Sequence, residues 1–274
     1  MQSEQARMPP TLQPARAAGL QGSWWQRPAP INHQFYASHY EIKYLLNRAL
    51  VAVFEPLIQQ FMQADVIAAP LPGQRYFVRS LYFDDGHYSA YFDKVDGVNV
   101  RYKYRVRTYT DTPGADAAQF LEIKGRHKQL VFKRRTQLPT PTGADVSAHL
   151  LGYAGLSSLT QRFCFDYYRK QLRPVALIDY WRRPFNCGHL ISKTATEFRL
   201  TLDSELSACQ TRRLTPGRTA RRRSVLPGYT VMEVKFQQHV PAWFHRLIQL
   251  YELQQMSISK ICYGLEALNL VEDC

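Results

Sequence analysis

The chain has 274 residues, 45% of them hydrophobic and 21% charged, which allows a sizeable core and excludes wholesale disorder or a fibrous repeat. Its 35 Lys and Arg stand against 22 Asp and Glu, a net charge of +13, so its partners are expected to be anionic: nucleic acid, acidic lipid or phosphate-rich small molecules. Cys164, Cys187, Cys209, Cys262 and Cys274 form no C-x-x-C pair, which argues against a disulfide framework or a structural zinc site and fits a reducing, cytoplasmic setting.

Residues 1–34 are rich in Gln, Ala and Pro and read as a disordered tail; Arg7, Arg16 and Arg27 leave a transit peptide as the competing reading. Residues 35–274 read as one α+β domain. Eight strand-like runs with period-two alternation lie near 35–43, 75–84, 97–109, 119–125, 129–138, 174–182, 196–204 and 229–236. Helical patterns fall near 45–63, 157–172, 242–250 and 258–270. The most apolar stretch, Ala49 to Ile58, carries Glu55 and Pro56 and is well short of the roughly 20 residues that cross a bilayer. The breakers between elements are loop-sized, so no second domain is expected.

The strands share a charge pattern. From Arg101 to Arg107 every second side chain is cationic, namely Arg101, Lys103, Arg105 and Arg107. A strand puts these on one face at spacings of about 7 Å, where they repel unless an anion or solvent screens them. Glu41-Ile42-Lys43, Glu122-Ile123-Lys124 and Glu233-Val234-Lys235 each place an acid and a base together, Lys133 shares a face with Arg135, Tyr180 with Arg182, and Arg199 with Glu197, Thr201 and Asp203. Such strands build either a half-exposed sheet or a closed barrel with inward charges. The amphipathic helices need an apolar surface to cover, which favours the barrel.

With Tyr40-Glu41-Ile42-Lys43-Tyr44, Ser80-Leu81-Tyr82-Phe83-Asp84, Arg105-Val106-Arg107-Thr108-Tyr109, Leu121-Glu122-Ile123-Lys124, Val231-Met232-Glu233-Val234-Lys235-Phe236 and Ser259-Lys260 in this order, the chain resembles the VTC domain of the triphosphate tunnel metalloenzyme superfamily, from about Tyr36 to Leu270. That resemblance implies an eight-stranded antiparallel tunnel that binds triphosphate and Mg²⁺ or Mn²⁺ and, in polymerase members, moves the γ-phosphoryl group of ATP onto polyphosphate. It carries the catalytic cations onto Lys43, Arg105, Arg107, Lys124, Arg182, Arg199 and Lys260. Further phosphate contacts fall on Lys94, Lys133 and Tyr180, and the metal carboxylate on Glu233, with Glu41 and Glu122 either helping or pairing nearby lysines. The inositol-phosphate-sensing and membrane regions of eukaryotic members have no counterpart here, so a membrane-protein partner and the oligomeric state stay open.

Other tunnels of this kind hydrolyse triphosphates, so hydrolysis is one alternative; a non-catalytic polyphosphate-binding module is another. No P-loop or Rossmann motif is present, and the eight histidines have no metal-ligand spacing. Nucleic acid is disfavoured because the aromatics alternate with the cations and so face away from them. Asp84 and Asp85 beside Gly86 read as turn and cap residues. The segment Arg212–Arg223 reads as a mobile basic loop, either a solvated hairpin tip or a guide for a long anion.

Overall fold

The computed structural model describes residues 40–111, 117–127, 130–139, 146–187, 198–217 and 219–272; the tail expected over 1–34 lies outside the described residues. The chain is α+β, with one large antiparallel sheet and six helices among those residues. The elements run β1 (Tyr40–Asn47), α1 (Arg48–Phe61), β2 (Gln63–Ala64), β3 (Tyr76–Asp84), α2 (Ser89–Val95), β4 (Val100–Thr108), β5 (Gln119–His127), β6 (Leu130–Gln137), α3 (Val146–Gly152), α4 (Ser158–Lys170), β7 (Arg173–Asn186), β8 (Arg199–Cys209), β9 (Arg222–Ser224), β10 (Tyr229–Phe236), α5 (Ala242–Leu250) and α6 (Lys260–Ala267).

Helix starts follow their caps. Asn47 accepts from the Leu50 amide at the head of α1, and Ser157 with Thr160 forms a reciprocal capping box at the head of α4. The α4 helix ends where Gln171 turns left-handed, with Arg169 and Lys170 at the negative end of its dipole.

The strand order is β1-β10-β8-β7-β3-β4-β5-β6. Alternate residues go to opposite faces, and three apolar clusters show what covers each. On the outer face of β1, β10 and β8, Tyr44, Leu46, Leu200, Leu202, Met232 and Val234 pack with Phe54 and Ile58 of α1 and Phe244 of α5. Across β4 and β5, Tyr104, Val106, Leu121 and Ile123 pack with α3 and α4 through Val146, Leu150 and Phe163. Phe163 is fully buried, and truncating such a side chain to Ala costs about 3–5 kcal/mol.

The third cluster lies on the opposite face. Val78, Ile178, Tyr180, Ala208 and Val231 alternate with outward residues and pack against Ile261, Cys262 and Leu265 of α6. That helix therefore fills one end of the curled sheet. Its approach needs Gly264, because a Cβ there would stand 2.3 Å from Ile178 Cδ1.

Two expectations are corrected. The barrel is not closed: β1 and β6 end the strand order, and no ladder joins them among the described residues. The sheet curls far enough for Glu41 of β1 to accept from Lys124 of β5 at 3.0 Å, so an ion pair spans a seam where a backbone ladder was expected. The basic segment is also more regular than expected. Arg222–Ser224 is strand β9, paired with β8, and Leu214 is buried in the α4 cluster, because one leucine among the arginines is enough to anchor it.

Candidate functional site

Strand register assembles the charges on the inner face. Lys43 lies opposite Glu233, and Glu233 opposite Thr201. Arg182 lies opposite Asp203. Ser80 and Tyr82 face Arg107 and Arg105; Arg105 faces Glu122; Glu122 faces Arg135; and Lys124 lies between Lys103 and Lys133. Lys260 joins from the first turn of α6. Among the described residues this face gathers ten cations around four carboxylates, Glu41, Glu122, Asp203 and Glu233.

Two clusters organise the face. On the β4–β5–β6 side, Glu122 is completely buried and lies 2.6 Å from both Arg105 Nη2 and Lys133 Nζ, 3.8 Å from Arg135 and 3.9 Å from Arg107. On the β10–β8–β7 side, Asp203 accepts both arms of the Arg182 fork at 2.7 Å and Lys260 Nζ at 2.7 Å. Glu233 lies 2.7 Å from Lys235 and 3.9–4.0 Å from Lys43, Lys260 and Arg182. Glu41 links the two sides, 3.0 Å from Lys43 and from Lys124.

Burial alone would raise these carboxyls, yet the cations hold all four below the usual carboxylate range. Lys235, Lys43, Lys260 and Arg182 do so for Glu233, Arg182 and Lys260 for Asp203, Arg105 and Arg107 for Glu122, and Lys124 and Lys43 for Glu41. The lysines divide. Lys43 is raised despite burial because Glu41 and Glu233 flank it. Lys124 and Lys133 are pushed down to about 8, since burial and neighbouring cations outweigh one shared carboxylate each. Lys103 is lowered by burial, and its Nζ donates to Ser259 Oγ at 2.6 Å. Burial would raise the Tyr82 phenol, but Arg105 and Arg107 bring it down to about 8, and Arg105 Nη1 donates to its hydroxyl at 2.9 Å.

Most of the residues expected from sequence converge here: Lys43, Arg105, Arg107, Lys124, Lys133, Arg182, Lys260, Tyr180, Glu233, Glu41 and Glu122. Tyr180 accepts from Arg107 at 3.3 Å. Two do not join them. Arg199 sits at the rim, 57% exposed, on Asn186 at 3.0 Å and Asp65 at 3.5 Å. Lys94 lies in the last turn of α2, and among the described residues no ion pair links it to the inner face. Sequence reasoning passed over Asp203, Lys103, Arg135, Lys235 and Tyr82 as site residues, although the period-two pattern that placed Arg105 and Glu233 holds the signal for each. Asp84 and Asp85 cap as expected: Asp84 accepts from the Asp85 and Ala90 amides, Asp85 from those of His87 and Ser89.

A hard divalent ion needs few protein carboxylates when substrate phosphates complete its shell. Among the described residues no group of three or more His, Cys, Asp or Glu is arranged to hold a metal. Glu233 and Asp203 do share Lys260, and Thr201 Oγ1, opposite Glu233, is buried without a hydrogen-bond partner. This donor set fits a metal that arrives with phosphate. It does not fit a bare ion, because every carboxylate here is already held by cations.

The VTC domain model matches residues 38–269, so the chain belongs to the VTC domain family. No curated protein matches it. Among solved structures it is similar to a candidate adenylate cyclase from Bacillus halodurans, at 14% identity and TM-score 0.44, covering 81% of this chain and 94% of that one. A candidate adenylate cyclase from Vibrio parahaemolyticus is similar at 11% identity and TM-score 0.39, covering 81% and 95%. A candidate adenylyl cyclase from Hippeastrum with a dominant triphosphatase activity is similar at 9% identity and TM-score 0.36, covering 82% and 93%. The family assignment rests on the domain match and not on these likenesses. No helix among the described residues is long and apolar enough to cross a membrane.

Proposed function

We propose that the protein is a metal-dependent phosphotransferase that moves the γ-phosphoryl group of ATP onto a growing polyphosphate chain. One observation carries this reading: ten inward cations exceed the four carboxylates that neutralise them, on a face built by eight strands. Like charges crowded on one face repel one another, whereas a triphosphate supplies the missing anions.

Phosphoryl transfer asks the protein mainly to align donor and acceptor and to compensate oxygen charge. Arg105, Arg107 and Arg182 would grip phosphate oxygens through planar forks, with Lys43, Lys124, Lys133 and Lys260 as point charges and Tyr180 as a hydroxyl donor. An oxygen of the acceptor's terminal phosphate attacks the γ-phosphorus, the bond from that phosphorus to the β–γ bridging oxygen breaks, and ADP leaves. The acceptor is already anionic, so no strong general base is required. Glu233, with Asp203 and Thr201 beside it, would hold Mg²⁺ or Mn²⁺, which supplies charge neutralisation across phosphate oxygens when bound. Arg199 at the rim would meet the chain as it enters, and Lys94 has the weakest claim on substrate.

Purified protein incubated with ATP and Mn²⁺ should yield ADP and long polyphosphate. Orthophosphate without chain growth assigns a triphosphatase instead, and binding without turnover assigns a passive module.

A further inference from the structure

We infer that the protein carries a second phosphate-binding site, outside the inner face, in a cleft of about 290 Å³ lined by Tyr88, Arg173, Gln210, Thr211 and Arg212. The inference rests on the polyphosphate reading for its ligand, an inorganic phosphate chain. The cleft lies where β7 begins and β8 ends, at the end of the curled sheet that α6 fills, and none of the inner-face cations lines it.

The cleft is basic and its charges are unspent. Arg173 and Arg212 line it, and they and Arg213, Arg221 and Arg223 of the basic segment are exposed, with no ion pair holding any of them among the described residues. Arg173 reaches only the Gly86 carbonyl, at 3.5 Å. The nearby acids are engaged: Asp84 and Asp85 accept backbone amides at the head of α2, and Asp179 is taken by Arg79 and Arg222. Arg221 is held beside Gln210, because the β8–β9 ladder pairs Cys209 with Arg222 and so brings the next residue of each strand together. Leu214, two residues after Arg212, is buried and anchors the chain beside the cleft. Guanidinium forks set around a concave cleft match the closely spaced oxyanions of a phosphate chain. Beside the Tyr88 ring the wall offers Pro174 and Val175 as apolar groups, too little to insert into a lipid surface.

The test compares wild type with a variant combining R173A, R212A, R213A and R221A, which leaves the Arg222–Asp179 pair intact. Affinity for long-chain polyphosphate should fall about tenfold or more in moderate salt, since several exposed contacts of modest worth are lost together, while affinity for tripolyphosphate and turnover of ATP stay unchanged. Unchanged long-chain affinity overturns the inference. So does an equal loss for tripolyphosphate, which would mean the arginines act on the inner face. Loss of binding to vesicles containing anionic phospholipid, with long-chain affinity kept, overturns it in favour of a lipid headgroup. ATP-dependent chain growth, assayed separately on wild type, reports on the proposed function, so the two failures are distinguishable.

Discussion

The two sides of the inner face are built from the same residue types but in different proportions. On the β4–β5–β6 side, four cations surround the single carboxylate of Glu122. On the β10–β8–β7 side, Lys43, Arg182, Lys235 and Lys260 share two carboxylates, Asp203 and Glu233, beside the unpartnered hydroxyl of Thr201. The first side has charge to spare for phosphate oxygens. The second has oxygen donors to spare for a cation once phosphate has drawn the lysines and arginine away. Under the proposed function the comparison implies a division of labour, with grip on one wall and metal on the other.

The sharpest way to break that division is Glu233→Gln. If the carboxylate holds the metal, ATP turnover should fall by about 10²–10³, the scale seen when one electrostatic group of an active site is lost. Tripolyphosphate binding without metal should hold or tighten, because a competing anion has gone. Turnover and calorimetric binding on the same preparation check this, and parallel loss of both would deny Glu233 a distinct role.

Glu122→Gln probes the other wall and should be read first as stability. It removes the only carboxylate among four cations, and stripping one partner from a buried ionic cluster costs about 3–5 kcal/mol. Because Glu122 is held below its ordinary range, its contribution is present above the unfolded carboxyl pKa and is lost as pH falls through the folded one. Denaturant unfolding at neutral pH should show the deficit, and tripolyphosphate should restore more stability to the variant than to wild type. An equal gain in both would mean the cations do not await an anion.

A smaller effect separates the walls by pH. Lys124 and Lys133 have pKa values of about 8, while Lys43 is raised. Between pH 8 and the ordinary lysine pKa near 10.4, the unfolded chain keeps protons that these two folded lysines have released, so their contribution to stability rises with pH. Tripolyphosphate has the opposite demand, since it binds the protonated forms. Its affinity should weaken above pH 8, and binding near pH 8.5 should take up protons, measurable by calorimetry in buffers of different ionisation heat. No uptake would mean that the ligand avoids the β5–β6 wall.

How much of this was legible in the chain follows from period and distance. Alternation exposed the inner cations because register converts every second residue into a shared face, and it placed β10 and α5 within the residues the structure gives them. It also contained Asp203 and Lys103, but nothing local marks either as special. Asp203 matters because β7 brings Arg182 opposite it, and Lys103 because α6 returns from 156 residues away to meet it. The short helix α2 went unread because its N-cap, Tyr88, is left-handed and makes no side-chain cap. What holds its first turn instead comes from Asp84 and Asp85. The open seam was unreadable for a similar reason, as alternation fixes faces and not whether the last edges pair.

The mildest test concerns the helix that closes one end of both walls. Ser259 caps α6 by accepting from the Cys262 amide at 3.5 Å, and the same oxygen accepts from Lys103 Nζ at 2.6 Å. Ser259→Ala removes a cap, typically worth about 1 kcal/mol, and leaves a lysine already lowered by burial with only the Cys262 sulfur at 3.7 Å. The expected result is a small stability loss at neutral pH that shrinks at higher pH, where Lys103 sheds its proton more readily than an ordinary lysine. Ser259→Thr keeps the oxygen and should restore the neutral-pH value. A deficit of the same size at every pH would reduce Ser259 to a helix cap and detach Lys103 from it.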